Sequence, residues 1–202
     1  MTKDIETAIE EVLLVPMEEY LSSGVYIGTK VRTKHMMPFV YKVNPQGLST
    51  LNLSEIDRRI RIVSKILSKY NPDDIVIVCR RENGWKAARA FGKYTGAKVF
   101  TGRYPAGIIT NPNLKTFFEP KIILVTDPYP DKNAVHDAQI SGIPLIALCD
   151  TNNTTESVDY LIPCNNKGTK SLGIIFWALA IQYLKERDQL QKELPQDDFM
   201  GE

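Results

Sequence analysis

Leu161-Ile162-Pro163-Cys164-Asn165-Asn166-Lys167-Gly168 runs directly into the apolar segment 171–184, and this junction indicates a strand, a tight polar loop and a helix. Residues 158–162 predict a short buried strand, which Pro163 ends because proline cannot donate to a sheet ladder. Asparagine and glycine tolerate the unusual backbone angles of a tight loop. Free amides and a lysine at the positive end of a helix form an anion site, most often for phosphate. An ordinary strand-to-helix turn with a solvated lysine is the alternative.

Strands and helices alternate over the rest of the chain. The predicted strands are residues 75–79, 97–100, 122–126, 145–149 and 158–162, and the predicted helices between and after them are residues 84–95, 133–141 and 172–187. Such alternation predicts a parallel sheet of about five strands with helices on both faces and right-handed crossovers. In such sheets ligands bind beyond the carboxyl ends of the strands.

The segment before the sheet has a different pattern. Apolar residues at helical spacing predict a helix over residues 1–23, restarted at Pro16. Residues 39–43 and 48–51 flank Asn44-Pro45-Gln46-Gly47 and predict a β-hairpin. Ser54 is the expected N-cap of the next helix, with Asp57 in the capping-box position. We therefore expect one α/β domain over residues 1–188, followed by a mobile acidic tail over residues 189–202.

Composition limits the class of protein. The 202 residues are 43% hydrophobic, enough for one sizeable core. The longest apolar run, residues 172–181, is too short to span a membrane, and the acidic N-terminal segment does not resemble a secretory signal. The three cysteines lack the paired spacing of metal ligands, which is typical of a cytoplasmic protein with reduced thiols.

Charge is distributed unevenly, although the net charge is only +1. Residues 1–20 carry one lysine against six acids, residues 79–103 carry seven bases against one acid, and residues 30–42 carry four bases and no acid. Lys86, Arg89 and Lys93 are spaced three and four apart, so they form one ridge on a helix. A basic face of this kind suits nucleic-acid phosphates, and a plain solvated surface is the alternative.

Residues suited to catalysis do not form a recognisable set. Neither histidine, His35 or His136, lies in a nucleophile motif, and the glycine-rich phosphate-binding fingerprints are absent. Asp127 and Asp150 follow strands, where they could share a divalent ion but more often cap the next turn. The three cysteines fall at strand ends, where a shared site is conceivable, but small buried thiols are the commoner role. We expect no metal, no cofactor and no catalytic residue.

Five blocks of the sequence resemble a known family. They are Gly24-Val25-Tyr26-Ile27-Gly28-Thr29-Lys30, Gly102-Arg103-Tyr104-Pro105-Ala106-Gly107-Ile108-Ile109-Thr110-Asn111, Val125-Thr126-Asp127-Pro128, Ile143-Pro144-Leu145-Ile146-Ala147-Leu148-Cys149-Asp150 and Ile162-Pro163-Cys164-Asn165-Asn166-Lys167-Gly168. In this order and spacing they resemble the universal small-subunit ribosomal protein two family, over about residues 8–187. The form resembles archaeal members, because residues 113–120 cross directly where bacterial relatives insert a helical hairpin, and the long acidic tail of eukaryotic relatives is missing. Tyr26 stands where most relatives have histidine.

The resemblance implies a three-layer flavodoxin-like fold and a structural role in translation without catalysis. It implies binding to small-subunit ribosomal RNA and to neighbouring ribosomal proteins on the solvent side of the subunit, between head and body. It implies no membrane and no small-molecule substrate. Together with the basic segments and polar strand ends, it gives sixteen predicted RNA-binding residues: Lys30, Arg32, Lys34, Lys42, Arg80, Arg81, Lys86, Arg89, Lys93, Arg103, Tyr104, Asn111, Asn165, Asn166, Lys167 and Lys170.

Three alternatives stay open at this point. Tyr104 is expected either to stack on a base or to be buried against the sheet. The loop of residues 165–168 is expected either to hold a phosphate directly or to tie neighbouring strand ends together, so that Arg80 and Arg81 are positioned. An isomerase-like enzyme that binds a phosphosugar is the alternative from another functional class, and the missing acid-base set counts against it.

Overall fold

The computed structural model describes residues 13–190, 192 and 194–201. Its helices are α1 (Met17–Ser23), α2 (Leu53–Leu67), α3 (Trp85–Thr95), α4 (Lys132–Ser141) and α5 (Thr169–Glu186). Its strands are β1 (Val40–Val43), β2 (Ser49–Leu51), β3 (Ile75–Cys79), β4 (Lys98–Thr101), β5 (Ile122–Val125), β6 (Leu145–Cys149) and β7 (Tyr160–Pro163). Each predicted element from β3 onward is present within about three residues of its expected bounds.

Five strands form one parallel sheet in the order β4-β3-β5-β6-β7. The three inner strands are buried along their whole length, as expected when helices cover both faces. The chain leaves β3 toward one edge of the sheet and β5 toward the other, so right-handed crossovers place α3 and α4 on opposite faces. The strand order and the two helical layers are those of a flavodoxin-like fold, which confirms the predicted class.

One helical layer carries most of the core. α5 packs against both α2 and α3, and its apolar residues are buried nearly all round. Phe176 and Tyr183 of α5 lie against Phe91 of α3, with ring centroids 5.9 and 6.3 Å apart. This layer encloses the continuous core that the alternation predicted. No helix in the described residues is long and apolar enough to cross a membrane.

The segment before the sheet matches the expected hairpin but not the expected helix cap. β1 and β2 pair antiparallel across a turn in which the Asn44 amide donates to the Leu48 carbonyl and the Gly47 amide donates to the Asn44 carbonyl, each at 2.8 Å. The N-cap of α2 is Asn52, whose side chain accepts from the Ser54 amide at 3.1 Å, so the assignment of the cap to Ser54 is wrong. Asn52, directly before the first residue of α2, is the N-cap that the sequence had assigned to Ser54.

Asp57 also has a different role from the capping box. Its carboxylate is buried, and it accepts from the Leu14 amide at 2.8 Å, the Tyr20 hydroxyl at 3.0 Å and Arg61 Nε at 2.9 Å. It therefore ties the segment before α1 onto α2. Burial, with the nearby Asp57 charge, raises the pKa of Tyr20 well above its usual value, so that hydroxyl keeps its proton and remains a donor.

Two predictions fall wholly or partly on residues that the structure does not describe. The predicted helix over residues 1–23 lies outside the described residues up to residue 12, and beyond that point α1 begins directly after Pro16. The boundary at residue 188 stays a prediction. The mobile tail over residues 189–202 also stays a prediction; among the described residues beyond 188, residues 196–198 form a 3₁₀ helix and Phe199 is fully buried.

Phe199 holds this short helix against the body of the protein. Its ring stacks on Tyr94 of α3 with centroids 5.6 Å apart, and the Tyr94 hydroxyl donates to Asp198. Trp177 Nε1 of α5 donates to the Leu194 carbonyl at 2.9 Å. A single aromatic in an acidic, polar stretch gave no periodic signal, yet burying it anchors residues 194–200 across α3 and α5.

Candidate nucleic-acid interface

A segment without regular secondary structure lies against the carboxyl end of β6. The Thr29 amide donates to Thr151 Oγ1 at 2.9 Å, and the Thr33 amide donates to the Thr151 carbonyl at 3.0 Å. Thr33 Oγ1 donates to the Asn153 carbonyl at 2.7 Å. A Cβ on Gly28 would lie 2.5 Å from Thr151 Cγ2, so only glycine permits this close approach. These contacts fix residues 28–33 across the end of β6.

The fixed segment carries two of the predicted RNA-binding cations, Lys30 and Arg32, and Lys34 directly follows it. Lys30, Arg32 and Lys34 are exposed, and so is Lys42 on β1. Among the residues that the structure describes, no carboxylate forms an ion pair with any of the four. Four solvated cations are therefore presented on ordered backbone, as a phosphate-binding surface requires.

Directly beneath this segment, the strand ends are linked by buried side chains. Arg81 Nε donates to Asp127 Oδ2 at 2.7 Å. Asp127 Oδ1 accepts from Asn153 Nδ2 at 2.9 Å, and Asn153 Oδ1 accepts from Asn166 Nδ2 at 3.1 Å. Asp150 completes the group, because its amide donates to Asn153 Oδ1 at 2.8 Å. We call Arg81, Asp127, Asp150, Asn153, Asn166 and Lys167 the strand-end network.

Lys167 belongs to the strand-end network through its ammonium group. Lys167 Nζ donates to Asp150 Oδ2 at 2.8 Å and to Asn152 Oδ1 at 3.0 Å. Asn165 Oδ1 accepts from the amides of Lys167 and Gly168, which shapes the loop. These contacts match the structural alternative, in which the loop ties strand ends together and positions Arg81.

Two of the sixteen predicted residues are buried, which corrects their assignment to direct RNA contact. Asn166 is 0% exposed and donates to the Leu148 carbonyl at 2.9 Å. Tyr104 is 4% exposed and meets Phe100 edge-on, with ring centroids 6.1 Å apart. Burial raises the pKa of Tyr104 well above its usual value. Both side chains are enclosed by the folded protein and are therefore not available for contact with RNA.

Four more of the predicted residues lie at the surface, in three places. Arg80 is exposed at the end of β3, with Nη1 donating to the Pro130 carbonyl at 3.0 Å. Arg103 and Asn111 are exposed on the loop after β4, and Lys170 is exposed in the first turn of α5. Arg80, Arg81, Arg103, Lys167 and Lys170 all follow carboxyl ends of strands, so the fold brings them to the same edge as the fixed segment.

The basic ridge forms on α3 as predicted. Lys86, Arg89 and Lys93 are exposed, whereas Ala87, Ala88 and Phe91 are buried on the opposite side. Arg89 Nη2 donates to Thr101 Oγ1 at 3.0 Å, and Lys93 Nζ lies 3.6 Å from Asp198. The hydrogen bond from Tyr94 and the nearby Lys93 charge lower the pKa of Asp198. The ridge is thus partly neutralised by the segment that Phe199 anchors.

The same edge lacks the components of an acid-base or nucleophilic site. Burial raises the pKa of Cys79 to about 11 and raises those of Cys149 and Cys164 further, so all three are neutral, unreactive thiols. His136 is exposed, and His35 Nδ1 lies 3.2 Å from Thr155 Oγ1. Within the described residues, no group of three metal-ligating side chains converges. The acids at the strand ends are held by internal partners.

Three residues at this edge were not among the sequence predictions: Tyr129 and Asp131 in the loop between β5 and α4, and Lys132 at the first position of α4. Tyr129 is 82% exposed, and Lys132 is exposed at the start of α4. Asp131 is 2% exposed, and burial raises the pKa of its carboxyl to about 6. The only available signal was the pair of prolines around Tyr129, which stiffens the loop and holds the ring away from the core.

The fold and its edge define a class: an α/β protein in which side chains at the strand ends bond mainly to one another and the exposed edge presents cations, as in proteins that bind nucleic acid. Comparisons with known proteins identify the family within this class. A family model described as Ribosomal protein S2 matches residues 113–185. The chain is 46% identical to the small ribosomal subunit protein uS2 of Nanoarchaeum equitans, covering 92% of this chain and 94% of the relative.

Other relatives with the same name agree. The protein of Staphylothermus marinus is 51% identical over 88% of this chain and 81% of its own length. That of Thermoplasma acidophilum is 42% identical over 95% of this chain and 98% of its own length. This chain therefore belongs to the ribosomal protein S2 family of the small ribosomal subunit. Its role is structural and in translation, and the relatives named here are archaeal, as the resemblance predicted.

Proposed function

We propose that the protein binds small-subunit ribosomal RNA with the carboxyl edge of its sheet, as part of the cytoplasmic ribosome. The observation that carries this proposal is the fixed segment with Lys30 and Arg32, followed directly by Lys34, all exposed and without acidic partners among the described residues. Each cation that neutralises a phosphate releases counterions, which favours binding to RNA. Arg80, Arg103 and Lys170 extend the same basic edge.

Neighbouring ribosomal proteins are the second class of partner in this proposal. Residues 31–41, before the hairpin and at its start, expose Val31, Met37 and Tyr41, with exposures of 64%, 53% and 75%. Several large apolar side chains exposed in one stretch of chain favour a protein contact over an RNA contact. In the proposed placement, on the solvent side between head and body, the basic edge faces RNA and other faces meet proteins or solvent.

The salt dependence of RNA binding tests the proposal. The variant with Lys30, Arg32, Lys34 and Lys42 all changed to Gln should show a shallower dependence of log K on log salt, by about one unit for each lost phosphate contact. The matched control changes Lys65 and Lys69 to Gln, because both are exposed at the end of α2, on the opposite edge of the sheet. An unchanged slope in the fourfold variant, or equal loss in the control, contradicts the proposal.

Arg103 and Asn111 give a second, local test. The loop that carries them is held by the Gly107 amide, which donates to Asp137 Oδ2 at 2.7 Å, so its backbone is ordered next to α4. We expect Arg103→Ala and Asn111→Ala proteins to enter subunits with weaker protection of the RNA against chemical probing. Normal assembly with unchanged RNA protection removes this loop from the proposed interface.

A further inference from the structure

A groove opens between the loop after β5 and the loop after β6. Its volume is about 780 Å³, within the range of sites that hold small ligands. One wall is formed by residues 128–130 and Lys132, the other by residues 152–154 and 156–158, and Arg80 also lines it. The groove is next to the strand-end network, but none of the network's buried carboxylates lines it.

Tyr129 is the distinctive side chain of this groove. Its ring is 82% exposed, the highest value among the exposed large hydrophobic residues described. The backbone that carries the ring is rigid, because the Tyr129 amide donates to Asp127 Oδ1 at 3.0 Å and the Pro130 carbonyl accepts from Arg80 Nη1 at 3.0 Å. An aromatic ring held in solvent on a rigid loop is a stacking platform that is already in position.

The charges around the groove favour an anionic ligand. Arg80 and Lys132 are exposed, and they outnumber the one acid of the lining, Glu156. Arg80 uses Nη1 for the Pro130 carbonyl, which leaves other guanidinium donors for a ligand. Asn152 and Thr154 add polar groups on the opposite wall.

We infer that this groove binds an unpaired nucleotide of RNA, with its base stacked on Tyr129 and its phosphates contacted by Arg80 and Lys132. The inference rests on the proposed function, because the groove continues the basic edge formed by the fixed segment. Aromatic stacking requires a base that is not paired, so the ligand is a single-stranded loop, bulge or end, not a duplex. The inference adds Tyr129 and Lys132 to the proposed interface, and neither is among the sixteen residues predicted from sequence.

Two substitutions at Tyr129 separate stacking from other roles. Tyr129→Ala should weaken binding to a transcript of the small-subunit ribosomal RNA by about five- to 150-fold at fixed salt. Tyr129→Phe keeps the aromatic face and should bind like the unaltered protein. Because the ring is exposed, both variants should melt at the same temperature as the unaltered protein. Lys132→Gln should reduce the salt slope by about one unit.

Three outcomes overturn the inference about the groove and leave the proposed function in place, and a fourth rejects both. Unchanged RNA binding in Tyr129→Ala, with loss in the fourfold lysine and arginine variant, rejects the groove but keeps the basic edge. Equal loss in Tyr129→Ala and Tyr129→Phe rejects stacking and points to the hydroxyl. Unchanged RNA binding together with loss of a neighbouring ribosomal protein from the subunit assigns the groove to a protein. If neither the Tyr129 variants nor the fourfold variant binds RNA more weakly than the unaltered protein, both proposals are rejected.

Discussion

The ammonium group of Lys167 neutralises the carboxylate of Asp150, a side chain that is only 1% exposed. Removing it leaves Asp150 buried without its cation, so we expect Lys167→Ala to lower the free energy of unfolding by about 1–3 kcal/mol. Adding Asp150→Asn to this variant should recover part of the loss. Lys170→Ala, an exposed neighbour, should stay within about 0.5 kcal/mol in the same urea titration. RNA affinity lost in Lys167→Ala without loss of stability would instead favour direct phosphate contact.

Asp131 should make the stability of the protein depend on pH. Burial raises its pKa from 3.8 to about 6, with the Asp127 charge adding to the shift and Arg80 and Arg81 opposing it. The folded protein therefore holds this proton more tightly than the unfolded chain. The contribution to stability is fully present below the unfolded pKa and is lost as the pH rises through about 6.

The variant Asp131→Asn removes that titration while keeping an oxygen that can accept from the Arg80 amide. We expect it to be more stable than the unaltered protein at about pH 8, by about 1–3 kcal/mol, with the advantage shrinking toward about pH 4. Denaturant titrations of both proteins across this range measure the difference. A constant difference at all pH values would show that Asp131 does not titrate in the folded state near 6.

At the scale of elements, the segment anchored by Phe199 closes the surface of α3 and α5. A Cβ on Gly173 would lie 2.9 Å from the Phe199 carbonyl oxygen, so the backbone of α5 needs glycine where the segment crosses it. Phe199→Ala should lower the free energy of unfolding by about 2–3 kcal/mol. This is below the cost typical of a core phenylalanine, about 3–5 kcal/mol, because the segment can detach without leaving a closed cavity.

Asp197→Ala is the matched control for Phe199→Ala, since Asp197 is exposed in the same short helix. It should change stability by less than about 0.5 kcal/mol. Limited proteolysis should cleave the Phe199→Ala protein within this segment earlier than the control. Equal cleavage rates and equal stability would mean that the buried ring does not hold the segment.

The elements differ in how well sequence predicted them, and the difference is physical. β3, β5 and β6 are continuous apolar runs too short for a helix, and a buried strand of a covered sheet accommodates such a run. The cap at Asn52 and the burial of Phe199 depend on single residues, and neither repeats with a period. The partners of Arg81 and Lys167 lie 46 and 17 residues away, so only the assembled strand order brings them together. Sequence therefore predicted that Arg81 and Lys167 reach the edge, but not that carboxylates neutralise them there.

Across the whole molecule, the three thiols report on the integrity of the sheet. Cys79, Cys149 and Cys164 are each 0% exposed at or just after the ends of β3, β6 and β7, and burial raises the pKa of each. In native protein at about pH 8 we expect none of them to react with a thiol reagent within hours. In increasing urea all three should become reactive together, at the midpoint measured by circular dichroism. Reaction of one cysteine well before that midpoint would reveal independent opening of its strand.

The tethering of residues 28–33 to Thr151 and Asn153 has a consequence for the thermodynamics of assembly. Because this segment is already ordered, the conformational entropy of fixing it is lost during folding and not at the encounter with a partner. Its association should therefore lack the large negative heat-capacity change of proteins whose basic arms fold as they bind. The carboxyl edge would then act as a rigid docking surface, to which the flexible partner adapts.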